Sequence, residues 1–149
     1  MDEASVVDIW ERLVRFHRVA TTVMDANLRA TFGHSLDDYD VLHQIHEHGA
    51  PIRMGDLAER LLVANSSCNR IVGRLVDVGL LTRTYGTDDR RVVQVQLTAA
   101  GKALHRRMAA VHTRDIRRLV GSVLHDSDRV HLDRALRRLL EHGTSDGKP

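Results

Sequence analysis

Apolar residues return at helical spacing from the start of the chain: Val6, Ile9, Trp10, Leu13, Phe16, Ala20, Val23, Met24 and Leu28. That spacing predicts one helix of about seven turns over residues 6–32. Gly33-His34-Ser35 breaks it, and Ser35 or Asp37 can cap a second helix, residues 36–47, that buries Tyr39, Leu42, His43 and Ile45. His48-Gly49-Ala50-Pro51 ends that helix, and Ile52-Arg53-Met54 reads as a short extended piece able to pair at a sheet edge. Residues 56–61 form a compact helix, Val63-Ala64-Asn65-Ser66 a polar break, and residues 66–78 a further helix stopped by Gly79. The pattern then becomes strand-like over residues 80–84 and 92–97, around the charged turn Tyr85-Gly86-Thr87-Asp88-Asp89-Arg90-Arg91. Thr98 can cap a long helix, residues 99–124, with the stripe Leu104, Met108, Val111, Ile116, Leu119 and Val123. Asp126-Ser127-Asp128 restarts the chain into a last helix carrying Val130, Leu132, Ala135, Leu136, Leu139 and Leu140, and residues 143–149 read as a frayed tail.

Helix, turn, helix, hairpin is the order of a winged helix-turn-helix, a module that reads DNA. The expected fold is mainly α with a small β-hairpin wing. Residues 1–149 form one domain, in which 36–98 are the winged helix-turn-helix lobe. The two flanking segments, 6–32 and 99–142, are long apolar-striped helices with little to pack on in so small a lobe. They are expected to act as dimerisation helices, burying one another between two copies of the chain; packing of the first helix on the last two within one chain is the alternative.

On a helical wheel of residues 66–78, Cys68, Ile71, Val72, Leu75, Val76 and Val78 share one side, while Ser66, Arg70, Gly73 and Asp77 lie opposite, flanked by Ser67, Asn69 and Arg74. The first side must dock on the lobe. The other offers hydroxyl, amide and guanidinium groups of the kind that pair with base edges. A glycine inside a helix costs roughly 1 kcal/mol relative to alanine, so Gly73 is explained either by close approach to a DNA backbone or as a tolerated surface position.

Charge sharpens this picture more than composition does. The net charge of +2 is uninformative. Its distribution is not, because residues 1–52 hold four basic against nine acidic side chains, and residues 53–107 hold ten against five. The positive excess coincides with the segment predicted to meet phosphate. Aromatic residues make up only 3% of the chain, which argues against stacking platforms for single-stranded nucleic acid. A single cysteine excludes an internal disulfide framework and fits a reducing compartment. The first residues lack the order of a signal peptide, and no apolar run approaches a membrane span, so a cytoplasmic protein is expected.

Several segments together resemble the MarR family of winged helix-turn-helix regulators, over about residues 10–140. Asp89-Arg90-Arg91 followed by Leu97-Thr98-Ala99-Ala100-Gly101 is similar to the family's wing signature. Tyr39-Asp40-Val41-Leu42, Met54-Gly55-Asp56-Leu57-Ala58 and Arg70-Ile71-Val72-Gly73-Arg74-Leu75 also resemble family segments. The resemblance implies a homodimer that binds a pseudo-palindromic operator in double-stranded DNA and regulates transcription, more often by repression. It implies that Ser66, Ser67, Asn69 and Arg70 contact bases or phosphates, with Arg74 a phosphate candidate. Arg90 at the wing tip would reach the minor groove, whose narrowness it can sense, and Asp89 would pair with Arg91 to stiffen the wing. Ser66 can alternatively serve only as the helix N-cap.

Cys68 faces inward on the reading helix, where buried thiols are usually inert, although thiol-sensing relatives exist. Among ten histidines, His43, His46 and His48 cluster, and His105 and His112 lie two turns apart, but no tight ligand spacing for a metal emerges. No cofactor is expected. Resemblance to a urate-responsive subgroup points to Trp10, Asp40 and Arg70 as residues for a small phenolic or purine-like anion, with arginine pairing and an aromatic ring stacking on it. A metal- or thiol-responsive sensor and an architectural DNA protein without effector are the alternatives. No nucleophile elbow, phosphate loop or dinucleotide fingerprint is present, so no enzyme is expected.

Overall fold

Ser5 starts the first helix. Its side chain accepts the Asp8 amide N–H at 3.2 Å while the Asp8 carboxylate accepts the Ser5 N–H at 3.1 Å, a reciprocal cap. In the computed structural model, which describes residues 5–146 and side chains as far as 143, this helix, α1, runs Val6–Phe32 and ends on Gly33 in the left-handed conformation. Its first four turns bury nothing within the chain. Ala20, Met24 and Leu28, spaced by four, are its buried residues.

A second reciprocal cap opens α2 (Leu36–His48), with Ser35 and Asp38 exchanging hydrogen bonds at 3.0 and 3.1 Å. Asp25 on α1 accepts the Leu36 N–H at 2.8 Å and fixes the corner between the two helices. Tyr39, Val41, Leu42 and Ile45 are buried, whereas His43 is only half-buried, because it faces the other histidines and not the aliphatic core.

β1 (Ile52–Arg53) leads into α3 (Met54–Leu61), and α4 (Asn65–Asp77) follows a tight turn at Leu62, which adopts φ 55°. Strands β2 (Leu81–Tyr85) and β3 (Val93–Leu97) form the hairpin, and β1 pairs with the outer side of β3 to give the antiparallel order β1-β3-β2. Ile52 lies opposite Val95, and Leu81 opposite Leu97. The core fills from every element of this lobe, with Leu28, Leu42, Ile52, Leu57, Leu75, Leu81, Val95 and Met108 among its fully buried side chains.

Four expected boundaries shift. Ser66 is not the cap of its helix: Ala64 holds the N-cap position and offers no side-chain bond, so Ser66 lies within the first turn with its side chain exposed. Val78 falls past the end of α4 and is 57% exposed, not part of its docking side. The long helix is α-helical only as α5 (Ala99–Ile116), then widens into a π turn, Arg117–Gly121, in which the Ser122 N–H reaches the Arg117 carbonyl at 2.8 Å. The last helix, α6 (Asp126–Asp146), carries on through Gly143, where a frayed tail was expected; residues 147–149 of that tail lie outside the described residues.

Residues up to His112 make one compact unit and those from Thr113 a second. The division falls inside α5, and not at Thr98, because Leu104, Met108, Ala109 and Val111 pack on the core of the first unit. The second unit contains the end of α5, the π turn and α6, on which Leu139 and Leu140 are exposed. Among the described residues, no helix is long and apolar enough to cross a membrane.

Candidate nucleic-acid interface

Helix α4 separates its two faces cleanly. Cys68, Ile71, Val72 and Leu75 are buried, while Ser66, Asn69 and Arg70 are exposed and Ser67 half-buried. The Asn69 amide donates to the Asn65 carbonyl one turn back at 3.0 Å, which leaves its carbonyl oxygen free of the helix. Among the described residues, Arg70 and Arg90 enter no ion pair, so both guanidinium groups remain open to an outside anion. Gly73 is not demanded by packing, since a Cβ there would meet only the Arg83 guanidinium, at 3.8 Å.

Arg74, a phosphate candidate by its position, also makes an ion pair within the protein. Its guanidinium is bound to the carboxylate of Asp38, a side chain 5% exposed on α2. The same carboxylate accepts the Ser35 N–H and lies 3.2 Å from His34 Nδ1. Burial alone would raise the Asp38 pKa, but the hydrogen bonds from Arg74 and Ser35 and the Arg74 charge hold it below the usual carboxylate range. Arg74 therefore ties α4 to α2, while its own side chain stays 47% exposed.

Arg83 on β2 was not foreseen. It is half-buried, and its guanidinium donates to the Asn69 carbonyl at 3.2 Å, tying the hairpin to the middle of α4. The signal was present only as a basic residue in an alternating strand, and sequence could not show what it would cross.

At the wing, Asp89 does brace Arg91, but through the main chain: its carboxylate accepts the Arg91 backbone N–H at 2.9 Å. Gly86 N–H to the Val92 carbonyl at 2.9 Å and Val92 N–H to the Asp89 carbonyl at 3.1 Å close the turn. Arg90 is exposed beside Tyr85 and Thr87 around one recess. The root of the wing is tied by Thr98, whose hydroxyl donates to the Gly79 carbonyl at 2.7 Å, lies 3.1 Å from the Leu80 carbonyl and accepts the Gly101 N–H at 3.0 Å. A Cβ at Gly101 would sit 2.1 Å from the Leu80 oxygen, so only glycine fits there. That contact is the physical content of the Leu97-Thr98-Ala99-Ala100-Gly101 motif.

Of the remaining candidates, Cys68 is fully buried, and burial pushes its thiol up despite the nearby Arg83 charge, which disfavours the reactive thiolate. Trp10, Asp40 and Arg70 stand on three different helices. The cleft beside the exposed Trp10 ring is lined by α1 residues alone. Asp40 is half-buried, and desolvation followed by the Asp37 charge raises its pKa. The histidines gather more than their sequence positions suggested. His43, His105 and His112 pack around Tyr39 and His46 packs on His105, with ring centroids 4.4–5.9 Å apart and His43 Nδ1 3.2 Å from His105 Nε2. His48 takes no part in these ring contacts. Among the described residues, no group of three or more His, Cys, Asp or Glu could hold a metal ion.

Residues 35–93 match the sequence model of the MarR family. The chain is 31% identical over 110 residues to the HTH-type transcriptional regulator PecS of Dickeya dadantii, a match covering 72% of this chain and 66% of the relative. It is 36% identical over 61 residues to the HTH-type transcriptional repressor MdtR of Bacillus subtilis, covering 41% of this chain and 39% of the relative. The chain thus spans under two thirds of the length of these curated relatives. Among solved structures, AbsC, a MarR family transcriptional regulator from Streptomyces coelicolor, superposes with a TM-score of 0.84 at 26% identity over 97% of this chain and 99% of its own. Sco3205 from the same organism, solved in complex with DNA, gives 0.83 at 23% identity over 95% and 92%.

Proposed function

This chain belongs to the MarR family of transcriptional regulators, which are not enzymes, and from that premise we propose that it acts as a homodimer on a pseudo-palindromic DNA operator, as a repressor of transcription in the cytoplasm. Helix α4 enters the major groove, where Ser66, Ser67, Asn69 and Arg70 read bases or hold phosphates. Arg90 enters the adjacent minor groove from the wing.

The observation that carries this reading is the exposure, on one lobe, of α4's polar face and the wing-tip arginine, with Arg83 of the same hairpin hydrogen-bonded to the Asn69 carbonyl of α4. Dimer formation is supported by exposed apolar surface: Trp10 on α1 is 64% exposed and Leu139 on α6 60%. Release by a small aromatic anion belongs to the same proposal, with the exposed Trp10 ring, Asp40 and Arg70 supplying stacking, polarity and charge.

Footprinting of the purified protein on the DNA around its own gene tests the whole. A protected palindrome bound by two chains, and released by an aromatic carboxylate or purine anion, is expected. Equal affinity for random duplex would replace the regulator with an architectural protein.

A further inference from the structure

A cavity of about 380 Å³ opens on the reading lobe between the end of α2, the approach to β1, strand β3 and the first turns of α5. Its volume lies within the range of sites for small molecules, roughly 300–1,000 Å³. None of Trp10, Asp40, Arg70 or the wing-turn residues 85–91 lines it. Ile45 and Leu97 form an apolar floor and Pro51 one wall, while His46, Lys102 and Arg106 stand at the rim.

The charges at this rim are unbalanced. Lys102 and Arg106 are one turn apart on α5, an arrangement in which like charges repel. No carboxylate lines the cavity, and among the described residues neither cation enters an ion pair. Two permanent positive charges and an imidazole thus face an apolar-floored hollow with no anion of the protein's own to satisfy them. Arginine offers a planar fork for a carboxylate or phosphate, and lysine a point charge beside it.

We infer that this cavity is a binding site for a small organic dianion: two carboxylates, or a phosphate monoester, on a short carbon skeleton that covers Ile45 and Leu97. The two fixed cations call for two negative charges, and the floor selects an organic body over an inorganic ion. This site is separate from the DNA-reading surface and from the aromatic-anion reading above, and it stands or falls without either.

Isothermal titration of the full-length protein with glutarate and with phenyl phosphate tests it, beside benzoate and neutral glutaramide. Binding of at least one dianion at one equivalent per chain is expected, with benzoate at least about tenfold weaker, the loss of one charge-assisted contact. Lys102→Gln with Arg106→Gln should weaken the dianion by about tenfold or more, and Ala50→Phe, which fills the cavity without touching the charges, should abolish it. Glutarate alone binding identifies a dicarboxylate site, and phenyl phosphate alone a phosphate-ester site. The inference is overturned by no saturable binding of either dianion, by binding unaltered in both variants, or by benzoate binding as tightly.

Discussion

The Arg74 guanidinium on α4 is hydrogen-bonded to the Asp38 carboxylate on α2, thirty-six residues earlier in the chain. The pair sets the reading helix against the scaffold. Arg74→Ala should lower stability by about 2 kcal/mol, the usual worth of a hydrogen bond between charged partners, and leave the salt dependence of DNA binding unchanged. Because the folded pKa of Asp38 is depressed, its contribution is present above its unfolded value of about 4 and disappears as pH falls through the folded one. Urea midpoints below about pH 4 should therefore fall less steeply in Asp38→Asn than in the parent chain.

Arg90 is the counterpart that faces outward. Arg90→Ala should weaken binding to every sequence and reduce the salt slope by about one unit, as expected for one lost phosphate or minor-groove contact. Affinities measured between low and moderate salt on specific and random duplexes decide it. An unaltered slope removes Arg90 from the interface.

His105 titrates in the opposite sense from an ion-paired histidine. Burial, then the charges of His46 and His43, push its pKa down to about 4, with Glu47 opposing weakly. The unfolded chain takes up a proton near pH 6.5, and the folded one does not until about 4, so this group's stability contribution is whole above pH 6.5 and declines as pH falls towards 4. The decline should amount to about 2 kcal/mol, and His105→Phe, which keeps a ring in the stack, should flatten it. Denaturant midpoints at pH 7, 6, 5 and 4.5 measure the difference, in a window above that of Asp38.

Gly101→Ala places a methyl group against the Leu80 carbonyl. Overpacking of this kind costs about 1–3 kcal/mol, and here it must also pry the wing from α5. Chemical denaturation should show the loss, and DNA affinity should fall although residue 101 touches no DNA.

Periodicity made the helices legible because burial is local along an amphipathic element: α1 was read at both ends from its apolar spacing and its closing glycine. The hairpin and the β1 edge were legible for the same reason, and so was the polar face of α4. What escaped depends on residues far apart in the chain. Nothing near Arg74 names Asp38, nothing near Arg83 names Asn69, and the histidines of α2 and α5 read as two clusters until folding stacked them on Tyr39. The π turn was hidden too, since the stripe of Leu119 and Val123 continues past the point where the backbone widens. Ser66 misled as a cap because the chain begins its turn one residue earlier, where Asn65 is already helical.

The knot at Thr98 leaves no slack linker between the hairpin and the helix that follows it. The end of α4, the start of β2 and the first turn of α5 thus share a single fastening, so none of the three can shift without loosening the other two.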